Sequence, residues 1–240
     1  MGSLDAVIVS SWRRADYLSQ CLQALHNARG IQDKLVWIFQ NDRSDVGIDL
    51  APVHSVIDAA KNLFENFKIT RQNFGDGQEG YPGWVWAQAD AFRQVYDSNA
   101  SRMYFFSDDD VCTPDYFEWH DAVQADGDWF ATCAWRNVMG QTKPFDLEAY
   151  YQISYPEEIG RGLGVSHKNL GIMLQTSPIW NHPVRMVAEN WKIVMPYVQR
   201  IYNAGYRSSD LHSPDENHGP STDMLPNPIP DYKWNKVRLA

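Results

Sequence analysis

Residues 108–110 read Asp-Asp-Asp and follow directly on the apolar run Met103-Tyr104-Phe105-Phe106-Ser107. Carboxylates this close repel and raise one another's pKa, so the triplet calls for a cation. An oxygen-seeking divalent ion, Mg²⁺ or Mn²⁺, bridging a carboxylate to a diphosphate meets that need, with phosphate and water completing its shell. A solvated acidic turn capping a helix near Thr113 is the other reading, and the triplet alone leaves both open. Three more polar clusters share its setting: residues 10–14 (Ser-Ser-Trp-Arg-Arg), 41–45 (Asn-Asp-Arg-Ser-Asp) and 73–80 (Asn-Phe-Gly-Asp-Gly-Gln-Glu-Gly) each follow an expected strand.

The elements that must position these clusters alternate. Residues 4–10 form an apolar, β-branched run, and Leu18, Cys21, Leu22 and Leu25 then recur at helical spacing. Residues 34–40 repeat the strand pattern, and Pro52 opens a helix whose stripe is Val53, Val56, Ile57, Ala60, Phe64 and Phe67. A short strand at 68–72, a helix at 84–96 and the strand at 103–107 follow. Thr113-Pro114 predicts an N-cap with Pro at the first helical position, a helix to about residue 124, and a strand at 129–135. Strands alternating with helices predict a mostly parallel sheet covered on both faces, whose binding residues gather at the carboxyl ends of its strands. Beyond residue 140 the pattern loosens: a strand at 172–176, a helix over 191–203 interrupted by Pro196, and an extended Pro-rich tail from Ser213.

Composition bounds the partners. With 240 residues, 44% hydrophobic and 21% charged, the chain is an ordinary globular domain. Its 21 Lys+Arg against 30 Asp+Glu leave a formal charge of −9, which disfavours coating nucleic acid by charge alone. Cys21, Cys112 and Cys133 have neither zinc nor disulfide spacing and read as reduced, near-core residues. No apolar stretch approaches the roughly 20 residues that span a bilayer. Residues 1–20 show no basic leader before an apolar run, so the expectation is a cytoplasmic protein.

The four clusters, taken in order, resemble the glycosyltransferases of family 2, which have the GT-A fold. "LDAVIVSSWRRADYLSQCLQAL" is similar to that family's opening, "WIFQNDRSD" to its second strand and Asp-containing turn, "NFGDGQEG" to its Asn-x-Gly loop, and "MYFFSDDDVCTPDYF" to the strand bearing the DxD motif. Order and spacing match over roughly residues 4–135. The resemblance implies an α/β, Rossmann-like, mostly parallel sheet flanked by helices. One GT-A domain spans 1–240, with a nucleotide-sugar half (1–135) and an acceptor half (136–240). It also implies a metal-dependent, inverting hexosyl transfer from a nucleotide-diphosphate sugar, UDP-sugar in the first instance, to a hydroxyl.

Carried over by position, Ser10, Trp12 and Arg14 line the base pocket, Asp42 or its neighbour Asn41 contacts base or ribose, and Asn73 borders the nucleoside. Asp108 faces ribose or sugar, Asp109 belongs to the same donor-binding set, and Asp110, with Asp108, holds the metal on the diphosphate. "GLGVSHKNLGIML" resembles the segment beside the donor sugar, giving roles to Lys168, Asn169, Gly171 and, more weakly, His167. "ENWKIVMPYVQRIYNAGYR" is similar to the helix that opens with the general base, here Glu189; Pro196 marks a shift from the usual spacing, and Asp146, Glu157 and Glu158 are the alternatives. A His near the C-terminus, His212 before His218, is the further metal ligand. Arg13 reads equally as a solvated helix-start charge, and Arg71 has a phosphate-side position.

The acceptor is a saccharide, a protein, a small molecule or a hydroxylated base in modified DNA. Trp180, Trp191, Tyr150 and Tyr151 are stacking candidates, with core packing the alternative. For the DNA case a basic strip of Arg161, Lys168, Arg185, Lys192, Lys233, Lys236 and Arg238 is available. Two rival classes are a nucleotidyltransferase, which presents a Gly-rich basic loop after its first strand where this chain has Ser-Ser-Trp-Arg-Arg, and a non-catalytic nucleotide- or sugar-binding module.

Overall fold

The structure, a computed structural model, describes residues 3–42, 47–74, 83–135, 149–152, 162–175, 191–196, 199–204 and 238–239. Its centre is the apolar run Asp5–Ser11 (β1), which pairs in parallel with Lys34–Asn41 (β2) on one side and Arg102–Ser107 (β4) on the other. Phe67–Gln72 (β3) adds in parallel to β2. Side chains along β1 alternate, so Val7 and Val9 enter one core and Ala6 and Ile8 the other, and none is solvent-exposed. Burial on both faces explains why these strands read as unbroken apolar runs.

Helices close both faces. Ala15–Asn27 (α1), Ala51–Ala60 (α2) and Tyr116–Asp126 (α4) bury Leu18, Cys21, Leu22, Leu25, Val53, Ile57, Phe117 and Trp119 against Val7, Val9, Val36 and Ile38. Gly83–Asp97 (α3) and His167–Leu174 (α5) bury Ala91, Phe92, Leu170 and Met173 against Ile8, Trp37, Met103 and Phe105. The first turn-out of the chain runs β1, β2, β3 in one direction; the α3 crossover then returns to the far side of β1 to make β4. The strand order therefore reverses at the β1/β4 boundary, where α/β sheets open a crevice for ligands.

Beyond β4 the sheet continues with Leu163–Ser166 (β8), Ala131–Cys133 (β6), Ile193–Pro196 (β9), Ala149–Gln152 (β7) and Arg238–Leu239 (β11), giving nine strands in the order β11-β7-β9-β6-β8-β4-β1-β2-β3. The β4–β8, β8–β6 and β9–β7 pairs are antiparallel, so the mixed half follows the parallel one. A separate two-stranded ribbon joins Asp110–Cys112 (β5) to Ile201–Asn203 (β10). Gly162, at φ +61, starts β8 with its Cα so close to Ala134 and Ile201 that an added Cβ would lie 3.0 Å from the Ala134 Cβ. Only glycine fits that corner.

Four expectations about elements are corrected. Residues 172–174 of the expected 172–176 strand belong to α5, because Ser166 Oγ accepts the Asn169 N–H at 3.3 Å and starts a helix that buries Leu170 and Met173 at i, i+3. The helix over 191–203 is instead β9 and β10: Ile193, Val194 and Met195 are buried between β6 and β7, where tertiary pairing outweighs a weak helical pattern. The α2 helix stops at Ala60; Phe64 still reaches the core from the following turn, and Phe67 begins β3. Finally, Thr113 does not cap α4. Residues 110–112 are drawn into β5, and the helix begins after Asp115, whose side chain Thr113 Oγ1 reaches at 2.5 Å.

Candidate active site at the carboxyl rim of the sheet

The in-register pairs Ser10↔Ser107, Ser11↔Gln40 and Asn41↔Gln72 align the carboxyl ends of β4, β1, β2 and β3. The described parts of all four polar clusters therefore emerge from one rim, and the crevice between β1 and β4 places residues 12–14 opposite 108–109. Arg14 is the N-cap residue of α1, and its carbonyl accepts the Leu18 N–H at 2.9 Å, which anchors its backbone while the side chain turns into the crevice. Arg14 Nη2 donates to Asp108 Oδ1, and Nη1 donates to Asp109 Oδ2 at 2.8 Å. Asp108 and Asp109 are 3% exposed and Asp110 is fully buried.

Burial pushes the Asp108 carboxyl above the usual carboxylate range; the Arg14 guanidinium and the Trp12 backbone oppose that shift, and Asp109 adds to it. Asp110 Oδ2 accepts the Ser107 N–H at 2.7 Å, closing a tight turn that brings the third carboxylate back under the end of β4. Its neighbours are held from the other half of the chain. Asn203 pairs with Asp110 across the ribbon, and the Ala204 N–H donates to the Asp109 carbonyl at 2.7 Å. Ala204, the first residue of the Ala-Gly-Tyr-Arg phrase, thus reaches the triplet directly after a strand and not at the end of a helix.

That strand is pinned by a pair absent from the sequence reading. Arg200, 2% exposed, donates from Nε to Asp115 Oδ2 at 2.9 Å, and the Arg200 carbonyl accepts the Thr113 N–H at 2.9 Å. A lone arginine inside the apolar stretch 193–202 was the available signal, since a buried guanidinium needs an anion.

At the ends of β2 and β3, Asn41 is buried and its Oδ1 accepts the Phe74 N–H at 3.3 Å. Asp42 is half-buried and takes a 2.9 Å hydrogen bond from His54 Nε2, a residue that sequence reasoning missed because it comes from α2. Of the two, Asp42 presents a carboxylate at the rim. Gln40 donates from Nε2 to the Trp12 carbonyl at 2.7 Å. Ser11 Oγ, Gln40 Oε1 and Gln72 Oε1 are buried at the rim without a hydrogen-bond partner among the described residues. Such groups are ordinarily satisfied by a ligand or by water.

Other predicted residues lie elsewhere. Ser166 pairs with Arg102 at the start of β4, and the His167 N–H donates to the Ser101 carbonyl at 2.9 Å. Lys168 is therefore at the opposite end of the sheet, about 17 Å from Ser107 at the strand rise of about 3.3 Å per residue. His167 stacks on Tyr96 at 4.5 Å, and Asn169 Nδ2 donates to the Phe130 carbonyl at 2.9 Å, so this segment does not face the crevice. Tyr150 is buried against Trp129 and bonded to Asp126, and Trp191 stacks on Phe130 at 4.2 Å; both pack the fold. Ser10 and Trp12 lie at the rim, Asn73 is exposed beside it, and Arg13 stacks over Trp12 at 4.6 Å. Glu189, His212, His218, Asp146, Glu157, Glu158, Trp180, Arg161, Arg185, Lys233 and Lys236 lie outside the described residues, as do the side chains of Tyr151 and Arg238.

A divalent cation is implied by the resemblance. The donor chemistry fits: hard carboxylate oxygens, nearly water-free, at a crevice open to a ligand. The number of ligands does not fit a cation held by protein alone, since no group of three or more metal-binding side chains occurs among the described residues. A cation here would be held jointly by carboxylate and by ligand phosphates, as Mg²⁺ usually is.

The fold is a mostly parallel α/β sheet with its polar clusters gathered at one carboxyl rim. No protein-family model matches the chain, and no curated protein matches it. Solved structures do. TarS from S. aureus (the 1–349 fragment) aligns with TM-score 0.59 and 12% identity, covering 84% of this chain and 60% of that one. The same fragment in complex with UDP gives 0.58 at 12% identity over 83% and 60%; in complex with UDP-GlcNAc it gives 0.57 at 10% over 83% and 58%. A nucleotidyl transferase from Methanothermobacter aligns at 0.51 and 8%, over 82% of this chain and 88% of that one. At these identities the likeness is one of fold: the chain has the GT-A fold of the TarS glycosyltransferase, and spans about three fifths of that fragment.

Proposed function

We propose that the protein is a glycosyltransferase that moves a sugar from a nucleotide-diphosphate donor, a UDP-sugar in the first instance, to a hydroxyl acceptor. The observation that carries this is the rim: three buried carboxylates at the β1/β4 reversal, beside buried polar atoms that have no hydrogen-bond partner among the described residues and are suited to a nucleoside. The GT-A fold shared with a protein captured with UDP and UDP-GlcNAc supports the same donor class.

In this reading Asp42, steadied by His54, holds the ribose or base, and the buried polar ends of β1 and β2 border the nucleoside. Asp110 and Asp108 would hold Mg²⁺ or Mn²⁺, which when bound neutralises negative charge developing on the leaving diphosphate. The turn made by the Ser107 N–H and the Ala204–Asp109 contact keep those carboxylates in place before the donor arrives, so little reorganisation is needed. Glu189 is the proposed base that deprotonates the acceptor hydroxyl in an inverting hexosyl transfer, with His212 a further metal ligand. The acceptor is proposed as a saccharide, small molecule, protein or hydroxylated DNA base, and the site of action as the cytoplasm.

The test is thermal stabilisation by a panel of nucleoside diphosphates and nucleotide-sugars with and without Mn²⁺, on wild type and Asp110→Asn. A shift with one nucleotide-sugar, lost in Asp110→Asn, is the expected result. No shift with any of them refutes the donor assignment. The nucleotidyl-transferase alternative, raised by the Methanothermobacter likeness, requires a nucleoside triphosphate and releases pyrophosphate; residues 10–14 offer no glycine loop for it.

A further inference from the structure

Among the described residues, Arg14 brings one guanidinium to a run of three carboxylates, at positions almost closed to water. The guanidinium does not grip one carboxylate with both arms, the geometry it favours. It spans two, one Nη on Asp108 and one on Asp109. Its side chain is only 17% exposed, yet it reaches from the first turn of α1 on a long flexible stem, with its Cζ 5.6 Å from the Tyr17 ring. Arg14 thus occupies the side of the two carboxylates that faces across the crevice. Another cation can use that side only after the guanidinium leaves.

We propose that Arg14 is a displaceable counter-ion: it neutralises Asp108 and Asp109 before the donor binds and passes to the donor's phosphates on binding, freeing Asp108 to join Asp110 on a divalent cation. The identity of the anion that takes Arg14 rests on the nucleotide-sugar reading above. Phosphate is as good a planar-fork partner as carboxylate, so the exchange conserves the arginine's hydrogen bonds. The two released carboxylates repel one another and attract the cation. Cation and nucleotide then bind with positive coupling, which is reciprocal by linkage. The cation alone must compete with a tethered guanidinium; nucleotide removes the competitor.

The experiment measures Mn²⁺ binding to the whole chain from the paramagnetic resonance signal of the free ion, with and without saturating UDP, in wild type, Arg14→Met and Arg14→Lys. Wild type is expected to bind Mn²⁺ about tenfold or more tightly with UDP than without, within the usual range of coupling factors. Arg14→Met is expected to bind Mn²⁺ alone about tenfold more tightly than wild type and to lose most of the gain from UDP, again on the scale of such couplings. Arg14→Lys, a point charge that holds one carboxylate at a time, should bind Mn²⁺ alone with intermediate affinity, and it carries the test if the Met variant does not fold. Equal or weaker Mn²⁺ binding by Arg14→Met without UDP, an undiminished UDP gain, or no Mn²⁺ binding by any of the three proteins overturns the proposal. Tighter Mn²⁺ binding by the variants with no UDP binding by any protein retains the competition of Arg14 with the cation and refutes the nucleotide reading instead.

Discussion

Replacing Asp115 by Ala should unfold this protein more readily than any surface change, and the structure sets the scale. Arg200 and Asp115 are 2% and 3% exposed, with Nε and Oδ2 2.9 Å apart. Removing the acid takes a buried carboxylate partner from the Arg200 guanidinium, and breaking a buried pair in this way typically costs about 3–5 kcal/mol. Loss of the Thr113 Oγ1 bond to Asp115 adds about 1 kcal/mol. For a chain of this length each kcal/mol moves the melting temperature by about 2–4 °C, so a drop of about 8–24 °C is expected. The double variant Asp115→Leu/Arg200→Met removes both charges together and should recover most of the loss, because the desolvation cost goes with the pair. Urea unfolding of the wild type, Asp115→Leu, Arg200→Met and the double variant measures all four corners of the cycle, with Asp115→Ala measured alongside. The reasoning fails if Asp115→Ala costs less than about 1 kcal/mol, or if the double variant is as unstable as the sum of the singles. Because β10 is tied to the carboxylate turn through the Thr113–Arg200 backbone bond, Asp115→Ala should also weaken nucleotide-induced stabilisation.

Three further outcomes are expected. His120 is buried, and burial, followed by Arg102 and Lys34, holds its imidazole well below the usual histidine value. The unfolded chain then takes up a proton below about pH 6.5 that the native state refuses, so His120 contributes stability present above that pH and lost below it, by about 1.4 kcal/mol per pH unit. Comparing wild type with His120→Asn, which keeps a donor toward Thr132, from pH 7 to 5 isolates this slope; parallel curves would contradict it. Gly164→Ala places a Cβ 2.7 Å from His120 Nδ1 and 2.8 Å from Thr132 Oγ1. It should destabilise by about 1–3 kcal/mol in the same urea assay, and an unchanged midpoint would show that this contact gives way freely. Lys168→Ala should leave nucleotide-sugar stabilisation unchanged, since Lys168 lies at the far edge of the sheet; a lost thermal shift would return it to the site.

The parallel half of the fold was legible because its signals are local. Strands buried on both faces must be apolar throughout, and helices between them must carry one stripe, so residues 5–107 announce their elements and place four polar clusters at strand ends. The carboxylate triplet was legible for the same reason, as were three cysteines outside any disulfide, all of which are buried. Which end of the sheet a later segment reaches is a different kind of fact. Lys168 lies beside a motif-like glycine segment, but antiparallel pairing of β8 with β4 carries it away from the rim, and no local pattern encodes the direction of that pairing.

The chain from 191 to 204 reads with helical spacing and forms strands, because the sheet edge supplies backbone partners that a propensity cannot anticipate. The ion pairs are likewise long-range: Arg14 meets Asp108 and Asp109, His54 meets Asp42, and Arg200 meets Asp115. Sequence thus determined which groups exist and which strand end bears each. Tertiary structure alone decided which charges face one another, since a salt bridge depends on distance in space and chain separation carries no record of it.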